Sequence, residues 1–115
     1  MLLLLTSCFL LGQGMQAREA TESHLESSYF RLDTYKNVNG QYPPRTGKTA
    51  ELLGRFGIDG WKRQLLYEPS ADHQSYTLTS LGADGVAGGV GDDLDLVVTV
   101  SPSGEVRSPG FEIFK

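Results

Sequence analysis

Residues 80–95 read SLGADGVAGGVGDDLD, and this stretch restricts the possible folds of the chain more than any other. It contains five glycines and four carboxylates, which are those of Asp84, Asp92, Asp93 and Asp95. Because glycine in a helix interior costs roughly 1 kcal/mol relative to alanine, the stretch does not form a helix. It also has too few large side chains to build a core of its own. We therefore predict a loop, which we name the acidic loop (residues 80–95).

A loop this acidic and this pliable stays open unless a cation gathers its carboxylates. Calcium suits it, because this hard cation takes about 6–8 oxygen ligands from carboxylates and backbone carbonyls in a flexible geometry. The glycines allow carbonyls to turn inward, and the apolar residues Leu81, Val86 and Val90 can offer main-chain oxygens. The ligand spacing of an EF-hand is absent from the sequence. The alternative interpretation is a solvated surface loop rich in glycine and aspartate.

The length and charge of the chain limit its organisation and its partners. At 115 residues it is long enough for one domain and too short for two ordinary ones. The formal net charge is −4, and no basic run exceeds the pair Lys62-Arg63, which we interpret as solvated. Nucleic-acid binding is therefore not expected, since affinity for nucleic acids depends mainly on neutralising phosphates. A single cysteine, Cys8, excludes an internal disulfide framework.

Residues 1–16 are largely apolar and have three interpretations that the sequence leaves open. The apolar run is shorter than the roughly 20 residues that a membrane-spanning helix needs. It resembles the hydrophobic part of an export signal, with residues 15–17 as a small-residue cleavage site. The segment LTSC, which ends at Cys8, resembles the site at which bacterial lipoproteins are lipidated. The third interpretation is a clipped, longer apolar helix. All three place the protein outside the cytoplasm, with residues 17–115 as the folded domain.

Hydrophobic periodicity predicts a long helix near the start of this domain. Residues 16–38 form an amphipathic pattern whose core-facing stripe contains Leu25, Tyr29 and Leu32. Asn39-Gly40 should end the helix, because glycine readily takes the left-handed conformation that follows a helix C-terminus.

A short second helix and several strands are predicted after this point. The second helix covers residues 49–56. The predicted strands are residues 64–68, 75–79, 94–100 and, as a weaker segment interrupted by Pro109-Gly110, 105–115. One N-terminal helix packed on a small antiparallel sheet is an α+β architecture.

The sequence contains no recognisable catalytic constellation. Its two histidines, His24 and His73, are far apart, and no G-x-S-x-G or comparable nucleophile turn is present. One cysteine and two scattered histidines do not provide the nitrogen and sulfur ligands that zinc prefers. The aspartates of the acidic loop could act as acid–base groups, but no signature of a substrate pocket accompanies them. We therefore expect a protein that is not an enzyme.

Three blocks of sequence occur in an order that resembles one protein family. The first is NGQYP at residues 39–43, the second is DGW at residues 59–61 followed by Tyr67, and the third is the acidic loop. Together they resemble the globular domain of the major pseudopilin of bacterial type II secretion, the G-type subunit. The resemblance covers roughly residues 25–95. The second block departs from the family pattern at three positions, which are Gly60, Lys62 and Gln64.

The resemblance implies a pilin-like fold, in which a long N-terminal helix packs on a small antiparallel sheet and calcium fixes a β–β loop. The implied calcium ligands are the side chains of Asp84, Asp92 and Asp93 and the main-chain carbonyls of Leu81, Val86 and Val90, with Asp95 in reserve. The family's prepilin start, a Gly-Phe cleavage site followed by a long apolar helix, is not found in these residues. Residues 96–115 extend past the usual end of the family pattern and can add a hairpin.

The resemblance also implies a function, a location and a set of partners. The function is a non-enzymatic structural role in the type II secretion machinery, whose pseudopilins polymerise through their N-terminal helices into a periplasmic filament. The expected partners are other pseudopilins or secretion-system components, including further copies of this chain, with membrane contact only through the N-terminal segment. The expected location is the periplasm or cell envelope. The alternative hypothesis is a free-standing, exported or lipid-anchored calcium-binding module that has a pilin-like fold and does not polymerise.

Overall fold

The computed structural model of the protein describes residues 2–108, with the side chains of residues 16–91 and 93–108. The side chain of Cys8, considered above for lipid attachment, lies outside the described residues. The same applies to the side chain of Asp92 and to residues 109–115, the second part of the weak fourth segment. Within the described part, helices precede an antiparallel sheet, which confirms the predicted α+β architecture.

The first helix, α1, runs from Leu2 to Asn39 without interruption. It therefore begins well before the predicted start at residue 16. The reason is local, because leucine is a strong helix former and the first proline of the chain is Pro43. At 38 residues and about 1.5 Å per residue, α1 is roughly 57 Å long. Among the described residues, no helix has an apolar stretch of the length and hydrophobicity that crossing a membrane requires.

The predicted end of α1 is confirmed. Gly40 takes a left-handed φ of 80°, and its N–H donates a hydrogen bond to the carbonyl of Lys36 at 2.7 Å. This is the bond expected when a glycine follows the last helical residue. The chain then turns through Tyr42, whose side chain is buried in the core.

The predicted second helix is divided into two parts. An α-helix, α2, covers Gly47–Leu53, and a 3₁₀ turn covers Gly54–Gly57. The division falls at Gly54, where a positive φ of 55° ends the α-helical geometry. The Gly54 N–H still satisfies the carbonyl of Ala50. The prediction of 49–56 therefore found the right segment but missed the change of helix type.

The described residues contain a four-stranded antiparallel sheet in the order β1-β2-β3-β4. The strands are β1 Leu66–Pro69, β2 Tyr76–Ser80, β3 Leu96–Val100 and β4 Val106–Arg107. β4 covers only residues 106–107 of the described part of the predicted segment 105–115, while the ends of β1, β2 and β3 differ from the prediction by at most two residues. In β1, for example, Gln64 pairs with Ile58 in a tight turn and does not join the sheet. Pro69 can end β1, because an edge strand does not need its N–H for pairing.

The core lies between α1 and one face of the sheet. Alternate residues of β2 and β3 are buried, so that Leu78 faces Val98 and Tyr76 faces Val100 across the two strands. The helix contributes the predicted stripe of Leu25, Tyr29 and Leu32. The remaining core residues are Tyr42, Leu53, Leu65, Tyr67 and Leu96. Because burial of one such side chain contributes about 1.5–3 kcal/mol, this cluster holds α1 on the sheet.

Candidate metal centre

The acidic loop connects β2 to β3, as the predicted β–β loop should. All five of its glycines have positive φ values, between 60° and 102°. Gly89 shows why a side chain is not tolerated there, since a Cβ would lie 2.7 Å from the carbonyl oxygen of Asp93. The chain therefore folds back closely on itself within the loop, with a short 3₁₀ turn at Gly91–Asp93.

Two aspartates of the loop bind backbone N–H groups within the loop. Asp84 Oδ1 accepts a hydrogen bond from the Val86 N–H at 3.1 Å. Asp95 Oδ2 accepts one from the Gly88 N–H, also at 3.1 Å. The other oxygen, Asp95 Oδ1, is buried and has no hydrogen-bond partner among the described atoms.

This buried oxygen of Asp95 is the feature that best fits a cation. A buried carboxylate oxygen without a partner is costly, and buried charges in proteins are usually paired or coordinate a metal. Asp95 was only the reserve ligand in the sequence prediction. The structure therefore gives it more weight than the pattern alone did.

The full predicted ligand set stays a prediction. Among the described side chains, which do not include that of Asp92, no group of three or more His, Cys, Asp or Glu is arranged to hold a metal ion. Of the main-chain candidates, the Val90 carbonyl accepts a hydrogen bond from the Asp93 N–H at 3.1 Å, which leaves its second lone pair. The side chains of Val86 and Val90 are 62% and 84% exposed, so neither is needed for packing.

Arg63 binds the first half of the acidic loop. Its Nη1 donates to the carbonyls of Gly82 and Ala83 at 3.2 and 3.0 Å. The guanidinium also lies against Gly85, where a Cβ would come within 2.5 Å of Nε. Arg63 is exposed, as the interpretation of Lys62-Arg63 as a solvated pair expects, and its guanidinium also binds loop carbonyls.

A buried carboxylate fixes the arginine and the start of the loop to each other. Asp59 Oδ1 accepts hydrogen bonds from the N–H groups of Trp61 and Arg63, each at 2.9 Å. Its Oδ2 accepts one from the Ser80 hydroxyl at 2.9 Å. The Ser80 Oγ in turn accepts the Gly82 N–H at 3.3 Å. Asp59 belongs to the DGW block, and the sequence of that block does not indicate a link to the acidic loop.

The second half of the loop is held by a side chain of α1. Arg18 Nη1 donates to the carbonyl of Gly91 at 2.9 Å. The acidic loop is thus attached at both ends, by Arg63 and Ser80 near its start and by Arg18 near its end. This arrangement can hold loop carbonyls and carboxylates in place for a cation.

Comparison with known families identifies the same part of the chain. Residues 51–99 match the family model described as "Type II secretion system (T2SS), protein G". The matched region extends from α2 to β3 and includes the turn around Asp59 and the whole acidic loop. Comparison with curated proteins and comparison with solved structures both give no significant match.

Proposed function

We propose that the protein is a structural, non-catalytic component of the type II secretion machinery, because residues 51–99 match the family model of its protein G. It acts in the periplasm or cell envelope through contacts with other secretion components, including other pseudopilins or further copies of itself. The family match carries this proposal. The α+β architecture, with one long helix on a small antiparallel sheet, agrees with it.

A secretion assay in the native bacterium tests this role. Deletion of the gene should leave substrates of type II secretion in the periplasm, and a plasmid copy should restore their release. Secretion that continues normally without the gene would contradict the proposal and favour the free-standing calcium-binding module.

The proposed function includes calcium bound in the acidic loop. The ligands would be the carboxylates of Asp84, Asp92, Asp93 and Asp95 and the main-chain carbonyls of Leu81, Val86 and Val90. The buried, unpartnered Oδ1 of Asp95 supports this assignment. When bound, calcium would supply structural order and no reaction chemistry, because clustered carboxylates repel one another until a cation neutralises them.

Thermal unfolding of the full chain in EGTA, in calcium and in magnesium tests the calcium site. A ligand that binds only the native state stabilises it by about 2.7 kcal/mol at a hundredfold excess over Kd, so we expect a clear rise of Tm in calcium. Magnesium should have a smaller effect, because it demands a stricter octahedral geometry and releases its waters reluctantly.

Two variants connect that stabilisation to the loop. In the double variant Asp92→Ala/Asp93→Ala, the calcium-dependent rise of Tm should disappear while the Tm in EGTA changes little. Asp72→Ala is the matched control, since this aspartate lies in the turn between β1 and β2, away from the acidic loop, and should keep the full calcium response. If the double variant still gains stability from calcium, the ligand assignment is wrong.

A further inference from the structure

The contact between Arg18 and Gly91 joins the acidic loop to α1, two parts of the chain that are distant in sequence. The Arg18 guanidinium donates to the Gly91 carbonyl at 2.9 Å, and it also lies 3.6 Å from the carboxylate of Glu22, one turn further along α1. The Arg18 side chain is 25% exposed, and Gly91 lies at the surface. Glu22 helps to orient the guanidinium toward the loop, as expected for an i,i+4 pair on a helix.

The carbonyl that Arg18 binds lies in the part of the loop whose conformation a cation would set. Gly91 stands between Val90 and Asp92, both of which are proposed ligands, and it begins the 3₁₀ turn Gly91–Asp93. The same Gly91 carbonyl also accepts a hydrogen bond from the Leu94 N–H at 3.2 Å within this turn. If a cation draws the Val90 carbonyl and the Asp92 carboxylate together, the orientation of the Gly91 carbonyl between them becomes fixed as well.

We propose that Arg18 couples calcium occupancy of the acidic loop to the docking of α1 on the domain. This inference rests on the proposed calcium site. When calcium orders the loop, the Gly91 carbonyl is held in position for Arg18, and the adjoining turns of α1 are held against the domain. When calcium leaves, the Gly91 carbonyl keeps its hydrogen bond from the Leu94 N–H but loses the order that calcium adds to the loop, and the Arg18 contact weakens. Binding linkage requires the effect to be reciprocal, so docking of α1 must also tighten calcium binding.

A second docking contact of α1 lies close by and does not involve the loop. The Thr21 hydroxyl accepts a hydrogen bond from the Gly60 N–H at 2.7 Å and donates one to the Ala17 carbonyl at 2.8 Å. Loss of this contact should loosen α1 to the same extent with and without calcium. Thr21 therefore provides a matched comparison for Arg18, within one turn of the same helix.

Amide hydrogen exchange of the full chain, in calcium and in EGTA, measures the docking of α1 directly. In the wild type, calcium should slow the exchange of residues 17–24 severalfold. In Arg18→Ala, this calcium dependence should be lost, although calcium still raises the Tm. By reciprocity, the calcium affinity of Arg18→Ala should fall by a factor of about five or more, the lower end of typical coupling between sites.

Three further variants separate coupling from a general loss of stability. Arg18→Lys keeps a cationic donor and should retain part of the calcium dependence. Glu22→Gln removes the ion pair but keeps the Gly91 contact, so most of the coupling should remain. Thr21→Val should speed exchange in calcium and in EGTA alike, with the calcium dependence preserved.

The possible results distinguish failure of the coupling from failure of the calcium site. If calcium neither binds nor raises the Tm of the wild type, the calcium site is wrong and the coupling is wrong with it. If calcium stabilises the protein but leaves the exchange of residues 17–24 unchanged, the site stands and the coupling is wrong. If calcium slows this exchange equally in Arg18→Ala, the coupling does not pass through Arg18.

Discussion

Tyr76 lies at the centre of a group of three buried tyrosines on the inner face of the sheet. Its ring packs edge-on against that of Tyr42, with 4.7 Å between the ring centroids. The centroid of the Tyr67 ring lies 5.7 Å from that of Tyr76. The Tyr67 hydroxyl donates a hydrogen bond to the Pro43 carbonyl at 2.6 Å. The Tyr76 hydroxyl, by contrast, is buried and has no hydrogen-bond partner among the described residues. The two hydroxyls therefore make opposite contributions to the free energy of unfolding.

The substitution Tyr76→Phe should leave the protein as stable as before or stabilise it by up to about 1 kcal/mol, because it removes a polar atom buried without a partner. Tyr67→Phe is the matched control and should cost about 1 kcal/mol, since it deletes a hydrogen bond and leaves the Pro43 carbonyl unpaired. Urea unfolding of the two variants and the wild type measures the difference. Equal losses in both variants would show that the Tyr76 hydroxyl has a partner.

The Tyr76→Phe variant should also differ from the wild type in its stability at alkaline pH. Burial raises the pKa of Tyr76 far above its usual value, and nearby tyrosines and Asp33 add to the effect. The folded state therefore keeps its proton while the unfolded chain ionises near pH 10. The titration of Tyr76 does not change the free energy of unfolding below about pH 10. Above that pH it lowers the free energy of unfolding, because the unfolded state then binds fewer protons than the folded state. We expect Tyr76→Phe to show a smaller alkaline loss than the wild type.

At the scale of elements, α1 is fixed by polar side chains as well as by its apolar stripe. His24 Nδ1 donates to the Ile58 carbonyl at 2.7 Å, and the Ser28 hydroxyl donates to the Phe56 carbonyl at 2.7 Å. Arg31 donates to the Leu52 carbonyl at 2.9 Å. These donors satisfy carbonyls at the end of α2, in the 3₁₀ turn that follows it and at Ile58 just after that turn, where helix ends leave carbonyls unpaired. The helix therefore has a defined position along its axis, which apolar packing alone specifies weakly.

The backbone of α1 approaches the rest of the domain closely at Gly60. A Cβ at this position would lie 2.0 Å from the Ala17 carbonyl oxygen and 2.6 Å from its carbon. Both are backbone atoms, so no side-chain movement can relieve the overlap. This is a physical reason for one departure of the second block from the family pattern, since any larger residue would push α1 away.

We expect Gly60→Ala to destabilise the protein by about 1–3 kcal/mol, the usual cost of overpacking a close contact. The first turns of α1 in contact with the domain should become more mobile. Gly47→Ala is the matched control, because a Cβ there meets nothing within 4 Å and alanine favours a helix. Urea unfolding of both variants checks the prediction. A Gly60→Ala variant as stable as Gly47→Ala would mean that α1 does not approach Gly60 this closely.

At the scale of the whole molecule, the acidic loop lies where α1, the sheet and the turn before β1 meet. Asp59 connects it to the turn that precedes β1, Arg63 holds its first carbonyls, and Arg18 attaches it to α1. A cation bound here would stabilise the junction of helix and sheet as well as the loop itself. Such a junction controls the position of the long helix on the globular domain. This position matters for a subunit whose proposed function is assembly.

Several features of this protein follow from the sequence by itself, because each depends on neighbours in the chain. Gly40 ends α1 since only glycine adopts φ of 80° without strain, whatever surrounds it. The alternation in residues 75–79 and the β-branched run in residues 94–100 predict strands. The acidic loop follows from its glycines and aspartates in the same way. The sequence did not correctly predict the start of α1, the change of helix type at Gly54 or the strand ends, and strand ends depend on which pairing partner is in reach.

The tertiary structure alone decided how the loop is held and which carboxylates are buried. Arg18 and Gly91 are 73 positions apart, and Asp59 and Ser80 are 21 apart, so no local pattern connects them. The sequence places Asp95 only in reserve among the loop aspartates, whereas in the folded chain one of its oxygens is buried without a partner among the described atoms. The physical reason is that periodicity and backbone preference act over a few residues, whereas hydrogen bonding and desolvation depend on which distant groups the packed helix and sheet bring together.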